Sequence, residues 1–260
     1  MTILDGAQPF LLESESGGEG CLLLHSLTSS PREMRELGEF LVGKGITVCA
    51  PLLAGHGTKP EDLITQGWPQ WLQAAKEGLE ALRSRCDGSI FLCGQSVGGL
   101  LSLYLAGEEE EIGGIISIGA ALYLKNWKIS LFLPLVKHTF IGNIYRFDRP
   151  IAYDISDPAG RNAMVCYDRT PVKAVVSLVE LKDLVRSRLT QVMLPLLAAH
   201  GALDTIVPPG NMETLAAEAG SEKVETMLCP RSKHLVTMDY DRYELFDRVC
   251  SFIKEYKKIT

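Results

Sequence analysis

One serine in the sequence has neighbours suited to nucleophilic chemistry. It lies in Gly94-Gln95-Ser96-Val97-Gly98, after an apolar run that ends at Cys93 and before a segment with helical spacing. In that context a serine occupies a tight strand-to-helix turn that lifts its hydroxyl clear of the sheet, and glycine neighbours leave room for the strained backbone. Ser96 could instead simply cap the following helix. The strand-turn-helix context favours a nucleophile at Ser96.

A serine hydroxyl needs a base before it can attack an ester at neutral pH, and histidine has the appropriate pKa. On an α/β sheet the partners follow the serine in the order acid, then histidine. Of the five histidines, two precede Ser96 and one lies in a segment interpreted below as a lid. A fourth precedes the best candidate for the acid, which is described in the next paragraph. His234, on a loop after the predicted strand 224–228, is therefore the predicted base.

The acid that orients this histidine should be a carboxylate beyond the end of a strand. Asp204 lies in such a loop, between a strand predicted from Leu194 and a helix predicted from Gly210. Open α/β sheets build their sites at the carboxyl ends of their strands. Five other aspartates between Ser96 and His234 all belong to the lid segment. Asp204 is therefore the predicted acid, the alternative being an aspartate that only forms an Asx-turn.

Backbone amides are the predicted donors to the negative oxygen of an acyl-transfer intermediate. One is the amide of Val97, which follows the nucleophile. The other is the amide of Leu27, in the loop after the first strong strand. Two further histidines receive non-catalytic interpretations: we expect His25 to hold this loop through hydrogen bonds, and His56, between two glycines, to be a turn residue.

Short apolar runs alternate with segments of helical spacing along most of the chain, which is typical of a mostly parallel sheet flanked by helices. At the first helix, Ser30, Pro31 and Glu33 match a capping box. The predicted strands are 21–25, 46–50, 90–93, 114–118, 194–200 and 224–228, and later helices are predicted at 69–85, 97–106, 172–189, 210–219 and 240–257.

The alternation breaks between residues 121 and 192, and a segment this long between sheet elements is usually functional. We interpret it as an inserted cap or lid, with residues 1–120 and 193–260 forming the core. Its aromatic and aliphatic residues could line an acyl groove or form a small core of their own. They include Trp127, Phe132, Leu133, Leu135, Phe140, Tyr145 and Phe147.

These motifs together resemble the α/β-hydrolase superfamily, most closely its bacterial carboxylesterase and monoacylglycerol-lipase group. The resemblance covers nearly the whole chain. It implies the α/β-hydrolase fold with a small cap, and hydrolysis of short- to medium-chain acyl esters or monoglycerides. Members usually have glycine and an aromatic residue where this chain has Ser26 and Leu27, and serine lacks glycine's freedom at positive φ. The matching segments are 25–28, 55–57, 94–99, 201–207 and 232–234.

The leading hypothesis is a serine carboxylesterase that uses Ser96, His234 and Asp204 and forms an acyl-enzyme. A monoacylglycerol lipase or an acyltransferase would carry the same residues, so both remain alternatives. A non-catalytic ligand-binding protein on the same fold is the alternative from another class.

Composition limits the partners and the compartment. With 26 basic and 32 acidic residues the formal net charge is −6, and no basic run predicts nucleic-acid binding. No signal peptide and no integral membrane segment are expected, since the apolar stretch 129–136 is too short to span a bilayer. Seven scattered cysteines without CxxC pairs favour reduced thiols and a cytoplasmic location. No metal or cofactor is expected, and the sequence predicts no oligomeric state.

Overall fold

The computed structural model describes residues 2–15, 18–124, 145–146, 151 and 154–257. Nine strands are present in this part of the chain: β1 Phe10–Leu12, β2 Gly20–Leu24, β3 Thr47–Ala50, β4 Ile90–Gln95, β5 Ile112–Ile118, β6 Tyr145–Arg146, β7 Thr170–Pro171, β8 Leu196–Gly201 and β9 Val224–Cys229. Its α-helices are α1 Arg35–Val42, α2 Trp68–Arg83, α3 Val97–Ala106, α4 Pro158–Ala163, α5 Val172–Arg188, α6 Asn211–Glu218 and α7 Arg242–Tyr256.

Seven of these strands form one sheet, in the order β1-β3-β2-β4-β5-β8-β9. All neighbouring pairs are parallel except β1 with β3, which is antiparallel. β6 and β7 form a separate two-stranded antiparallel sheet. The predicted fold class, a mostly parallel sheet flanked by helices, is confirmed.

Apolar cores lie on both faces of the main sheet, because its central strands are buried on both sides. Alternate residues of a strand point to opposite faces, so Leu22 and Leu24 of β2 pack in one core with residues of α2, α3 and α5. Cys21 and Leu23 pack in the other core, with residues of α1 and α7. This double burial explains why the strands are continuous apolar runs.

The capping box predicted at Ser30 and Glu33 is wrong. Residues Pro31–Met34 form a short 3-10 turn, and α1 begins only at Arg35. The Ser30 side chain makes no cap and donates instead to the carbonyl of Val165 at 2.8 Å. Glu33 is buried and accepts hydrogen bonds from the preceding loop. Tertiary partners therefore take both side chains that the local pattern assigned to the helix end.

The inserted segment between β5 and β8 is described only in part, and the division into 1–120, 193–260 and a 121–192 cap stays a prediction. Most of the aromatic residues proposed for an acyl groove lie outside the described residues. Within the described part, Ala174, Leu181 and Val185 of α5 pack in the same core as α3. No helix among the described residues is both long and apolar enough to cross a membrane.

Candidate active site

Ser96 lies between β4 and α3 with a strained backbone, at φ 56° and ψ −114°. Its amide donates to the carbonyl of Ile118 at 2.8 Å, which ties the turn to β5. A Cβ atom on Gly94 would lie 2.1 Å from the Gly98 carbonyl oxygen, and one on Gly98 would lie 2.1 Å from the Leu24 carbonyl oxygen. Side chains at these positions would collide with backbone, so the turn requires glycine on both sides of the serine.

Asp204 and His234 are brought together by a hydrogen bond. Nδ1 of His234 donates to Oδ2 of Asp204 at 2.7 Å, and both residues are buried. Nε2 of His200 donates to the same oxygen at 2.9 Å. The amides of Ile206 and Val207 each donate to Oδ1 at 2.8 Å. Because both carboxylate oxygens accept hydrogen bonds, the carboxylate is fixed in one orientation and holds His234 with its proton on Nδ1.

The electrostatics of this pair favour a charged acid and a basic imidazole. Burial raises the pKa of Asp204, but the positive charge of His234 and the hydrogen bonds from its neighbours outweigh it and hold that pKa well below its usual range. Burial lowers the pKa of His234, but attraction to Asp204, Asp154 and Glu33 outweighs burial and raises it above its usual value. The pair is thus arranged to stabilise an imidazolium.

The other ring nitrogen of His234 is buried, and the ring packs close to the turn that carries Ser96. Nε2 is buried and has no hydrogen-bond partner among the described residues. The ring lies over Gly119, where an added Cβ would be 3.6 Å from Cε1 and from Nδ1. Gly119 directly follows the residue whose carbonyl binds the Ser96 amide. The Thr237 amide also donates to Oε1 of Gln95 at 3.2 Å. The histidine loop and the serine turn therefore adjoin, although no hydrogen bond joins Ser96 to His234.

The loop after β2 is fixed by His25, as expected. Its Nδ1 donates to the Ser26 carbonyl at 2.9 Å, and its Nε2 accepts from the Leu53 amide at 3.1 Å. Burial lowers the pKa of His25 well below its usual value, so the ring is neutral. In this loop the residue with positive φ is Thr28, at 64°, and not Ser26. The serine in the usual glycine position is therefore free of the backbone conflict that its residue type suggests.

Two amides near Ser96 have no hydrogen-bond acceptor among the residues that the structure describes. No carbonyl or side chain in the described part of the chain accepts from the Leu27 amide. Val97 is the first residue of α3, so its amide has no carbonyl to bind within the helix. Both amides are available to an oxyanion, and their role in binding one stays a prediction.

Asp154 is a buried residue of this site that the sequence analysis set aside as part of the lid. Its carboxylate accepts from the amide of His234 at 3.0 Å and from the amide of Thr205 at 3.2 Å, and the Thr205 hydroxyl also donates to it. It thus links the loop of the acid to the loop of the base. No spacing pattern in the sequence relates residue 154 to either loop, because only the tertiary packing brings the three together.

The described residues contain no group of three or more histidine, cysteine, aspartate or glutamate side chains that could hold a metal ion. The features of this site are a serine on a strained turn, a histidine bonded to a carboxylate, and the two amides described above. Together they are the parts that acyl transfer through a serine requires.

Sequence comparisons agree with this chemistry. A family model described as serine aminopeptidase, S33 (Hydrolase_4) matches residues 19–241. A thermostable monoacylglycerol lipase from Bacillus sp. (strain H-257) is 32% identical over 254 residues, 98% of this chain and 97% of that protein. A carboxylesterase from Bacillus subtilis (strain 168) is 26% identical over 248 residues, 95% of this chain and 96% of that protein.

Structure comparisons give the same fold. A structure from work on LipS and LipT, two metagenome-derived lipolytic enzymes, matches with a TM-score of 0.88 at 29% identity and covers 98% of this chain and 100% of its own. The Paleococcus ferrophilus monoacylglycerol lipase, at 18% identity and a TM-score of 0.78, covers 98% and 100% of the two chains and supports the fold alone. The resemblance to the carboxylesterase and monoacylglycerol-lipase group is confirmed, and the expected class of ester hydrolase agrees with these relatives. The family match over most of the chain shows that this protein belongs to the serine aminopeptidase S33 family of α/β-hydrolases.

Proposed function

We propose that this protein is a serine carboxylesterase that hydrolyses short- to medium-chain acyl esters through an acyl-enzyme. One observation carries the proposal. His234 is bound to Asp204 through Nδ1, and its Nε2 is buried without a partner among the described residues. Its ring packs over Gly119, which directly follows the residue whose carbonyl binds the Ser96 amide. That arrangement presents a base to a hydroxyl group. The curated relatives named as a lipase and a carboxylesterase support the same class of substrate.

In the first half of the reaction, Oγ of Ser96 attacks the ester carbonyl carbon while Nε2 of His234 takes the hydroxyl proton. The carbonyl oxygen becomes an oxyanion that accepts hydrogen bonds from the amides of Leu27 and Val97. The intermediate then collapses, the carbon–oxygen bond to the alcohol breaks, and His234 returns the proton to the departing alcohol. Asp204 keeps the imidazole in the required tautomer and stabilises its charged form.

In the second half, a water molecule gives its proton to Nε2 of His234 and attacks the acyl-enzyme. The second oxyanion accepts hydrogen bonds from the same two amides. As it collapses, the bond between the acyl carbon and Oγ breaks, His234 returns the proton to Oγ of Ser96, and the acid is released. Since no hydrogen bond joins the serine to His234 in this structure, we expect rotation of the Ser96 side chain, or the arrival of substrate, to bring Oγ to Nε2. Such contacts often tighten only when substrate is bound.

The test is the rate of hydrolysis of p-nitrophenyl esters of graded acyl length, with Ser96→Ala beside the wild type. We expect Ser96→Ala to lose several orders of magnitude in kcat, because the three side chains act as a unit. The matched control is Ser251→Ala, an exposed serine on α7 whose hydroxyl bonds only within its helix. Wild-type rates in the Ser96→Ala variant would refute the assignment.

Labelling by a fluorophosphonate addresses the non-catalytic alternative. An activated Ser96 should react covalently, and both Ser96→Ala and heat-unfolded protein should fail to label. A folded wild-type protein that neither labels nor hydrolyses any ester of the series would instead favour a ligand-binding protein on the same fold.

A monoacylglycerol lipase is the second candidate, and the 32% identical relative of that name is the observation that favours it. Comparing 1-monoacylglycerols with p-nitrophenyl esters of the same acyl group separates the two, since a lipase of this kind should prefer the glyceride. Adding an alcohol as acceptor measures acyl transfer against hydrolysis. Aminoacyl p-nitroanilides test the peptidase activity that the family description names.

A further inference from the structure

Glu33 is an acidic residue that is 1% exposed and contacts the loop that carries Leu27. Its Oε1 accepts from the Ser26 amide at 2.6 Å and from the Ser26 hydroxyl at 3.0 Å. Its Oε2 accepts from the Ser29 hydroxyl at 2.5 Å. One carboxylate therefore binds the loop on both sides of Leu27.

The hydrogen bonds to Glu33 partly offset the free-energy cost of burying its carboxylate. Burial raises the pKa of Glu33 to about 7, although the hydrogen bonds from Ser29 and Ser26 and the charge of His234 all act to lower it. Burying a carboxylate destabilises the folded state unless its oxygens accept hydrogen bonds. Here each oxygen accepts hydrogen bonds from Ser26 or Ser29. These bonds offset part of the free-energy cost of burial, and they form only when residues 26–29 are held in this conformation.

The contacts also explain the unusual serine after His25. The Ser26 hydroxyl bonds to Glu33, and it also lies 3.4 Å from the Gln95 carbonyl, next to the nucleophile turn. The Ser26 amide is occupied by Glu33, whereas the next amide, that of Leu27, has no acceptor among the described residues. His25 holds the same loop through the Ser26 carbonyl. Ser26, the residue before Leu27, is thus held at both its amide and its carbonyl.

We propose that Glu33 is a positioning residue for the reaction: through Ser26 and Ser29 it holds the Leu27 amide where the oxyanion forms. The inference rests on the proposed function, since it concerns a donor to the same intermediate. Glu33 does not touch the substrate and acts only through the loop. It belongs to the 3-10 turn Pro31–Met34, so the turn and the loop form one unit.

Two substitutions separate the hydrogen bonds of Glu33 from its bulk. Glu33→Gln keeps an oxygen for Ser26 and offers an amide to the Ser29 hydroxyl, so we expect kcat within about tenfold of the wild type. Glu33→Met has similar length without an acceptor, and we expect kcat to fall about 100-fold, the size of a misplaced or lost oxyanion donor. KM should change less than threefold in both, because the oxyanion contact is made in the transition state. Glu39→Gln is the control, an exposed glutamate on the neighbouring helix α1.

The rates are expressed per active site, counted by fluorophosphonate labelling, so that a loss of folded protein is not counted as a loss of kcat. If Glu33→Met does not fold, Ser29→Ala carries the test. It removes the bond to Oε2 and leaves both bonds to Oε1, and it should lower kcat three- to tenfold at constant KM. A kcat within threefold of the wild type in Glu33→Met, or in Ser29→Ala where the first does not fold, would overturn the inference. A rise in KM at unchanged kcat would do so too.

The same experiment distinguishes this inference from the proposed function. If the wild type hydrolyses no ester and Ser96 does not label, the proposed function fails first. If the wild type is active, Ser96→Ala is inactive and Glu33→Met is fully active, only the positioning role of Glu33 is wrong.

Discussion

Gly98→Ala tests the packing on which the serine turn depends. The added Cβ would lie 2.1 Å from the Leu24 carbonyl oxygen, 2.6 Å from the Leu24 carbonyl carbon and 3.0 Å from the His25 carbonyl oxygen. Real Cβ atoms essentially never come closer than 3.0 Å to a heavy atom outside their own and the two adjacent residues. All three obstacles are backbone atoms, so no side chain can turn aside. Either α3 or the end of β2 has to move by at least 0.9 Å, the difference between 2.1 and 3.0 Å.

The displacement moves the two backbone amides that are proposed to bind the oxyanion. Gly98 follows Val97 in α3, and Leu24 precedes the loop that carries Leu27, so the two oxyanion amides move relative to Ser96. A misplacement of about 1 Å costs about 100-fold in rate, or about 2.7 kcal/mol of transition-state stabilisation. We expect kcat/KM for a p-nitrophenyl ester to fall by that factor. Overpacking should also lower the free energy of unfolding by about 1–3 kcal/mol.

The matched control is Gly107→Ala, at the other end of the same helix. Gly107 has φ −85°, and the nearest atom to an added Cβ is the Tyr104 carbonyl oxygen at 3.5 Å, an ordinary contact. This variant should keep wild-type activity and gain about 0.4–1 kcal/mol of stability. The reasoning about the turn would be refuted by a Gly98→Ala protein with kcat/KM within threefold of the wild type and an unchanged melting temperature.

Two further predictions concern pH. His234 accepts a proton only when neutral, and its pKa is raised by Asp204 despite burial, so kcat/KM should rise with pH through a midpoint above 6.5. A rate profile between pH 5 and 9 measures this, and a midpoint below 6.5 would contradict it. The second prediction concerns Glu33, whose pKa is raised by burial from an ordinary value of 4.5 to about 7 in the folded protein. The folded state therefore binds more protons and loses stability as pH rises between these values. The free energy of unfolding of Glu33→Gln relative to wild type should therefore increase by roughly 3 kcal/mol from pH 4.5 to pH 7 in urea titrations, and a flat difference would contradict this reasoning.

Much of the fold could be predicted because its local signals are strong. The helix predicted at 97–106 is observed with the same bounds, since an apolar run follows a turn whose glycines fix its start. The strand of residues 10–12 was not predicted. It is three residues long, partly exposed and paired on one side only, with β3. Its apolar run of three residues is too short to distinguish a strand from a loop.

At the site, the order of serine, acid and histidine along the chain was enough to select Asp204 and His234 as a pair, because the fold constrains that order. The hydrogen-bond partners of Glu33 could not be predicted in this way. Ser30 and Glu33 satisfy a local pattern for a helix start, yet the carboxylate binds Ser26 and Ser29 instead. A local pattern describes what a side chain can reach within its own turn, and tertiary contacts decide what it binds.

The double role of Asp154 has a consequence for chimeras between members of this family. Residue 154 lies within the predicted cap, residues 121–192, yet its carboxylate bonds to the backbone of both His234 and Thr205. A graft that imports a foreign cap together with its own residue at this position would leave two neighbouring loops without their common anchor. A foreign segment that ends before residue 154 leaves that anchor with the host scaffold, so we expect such a chimera to keep both loops in place.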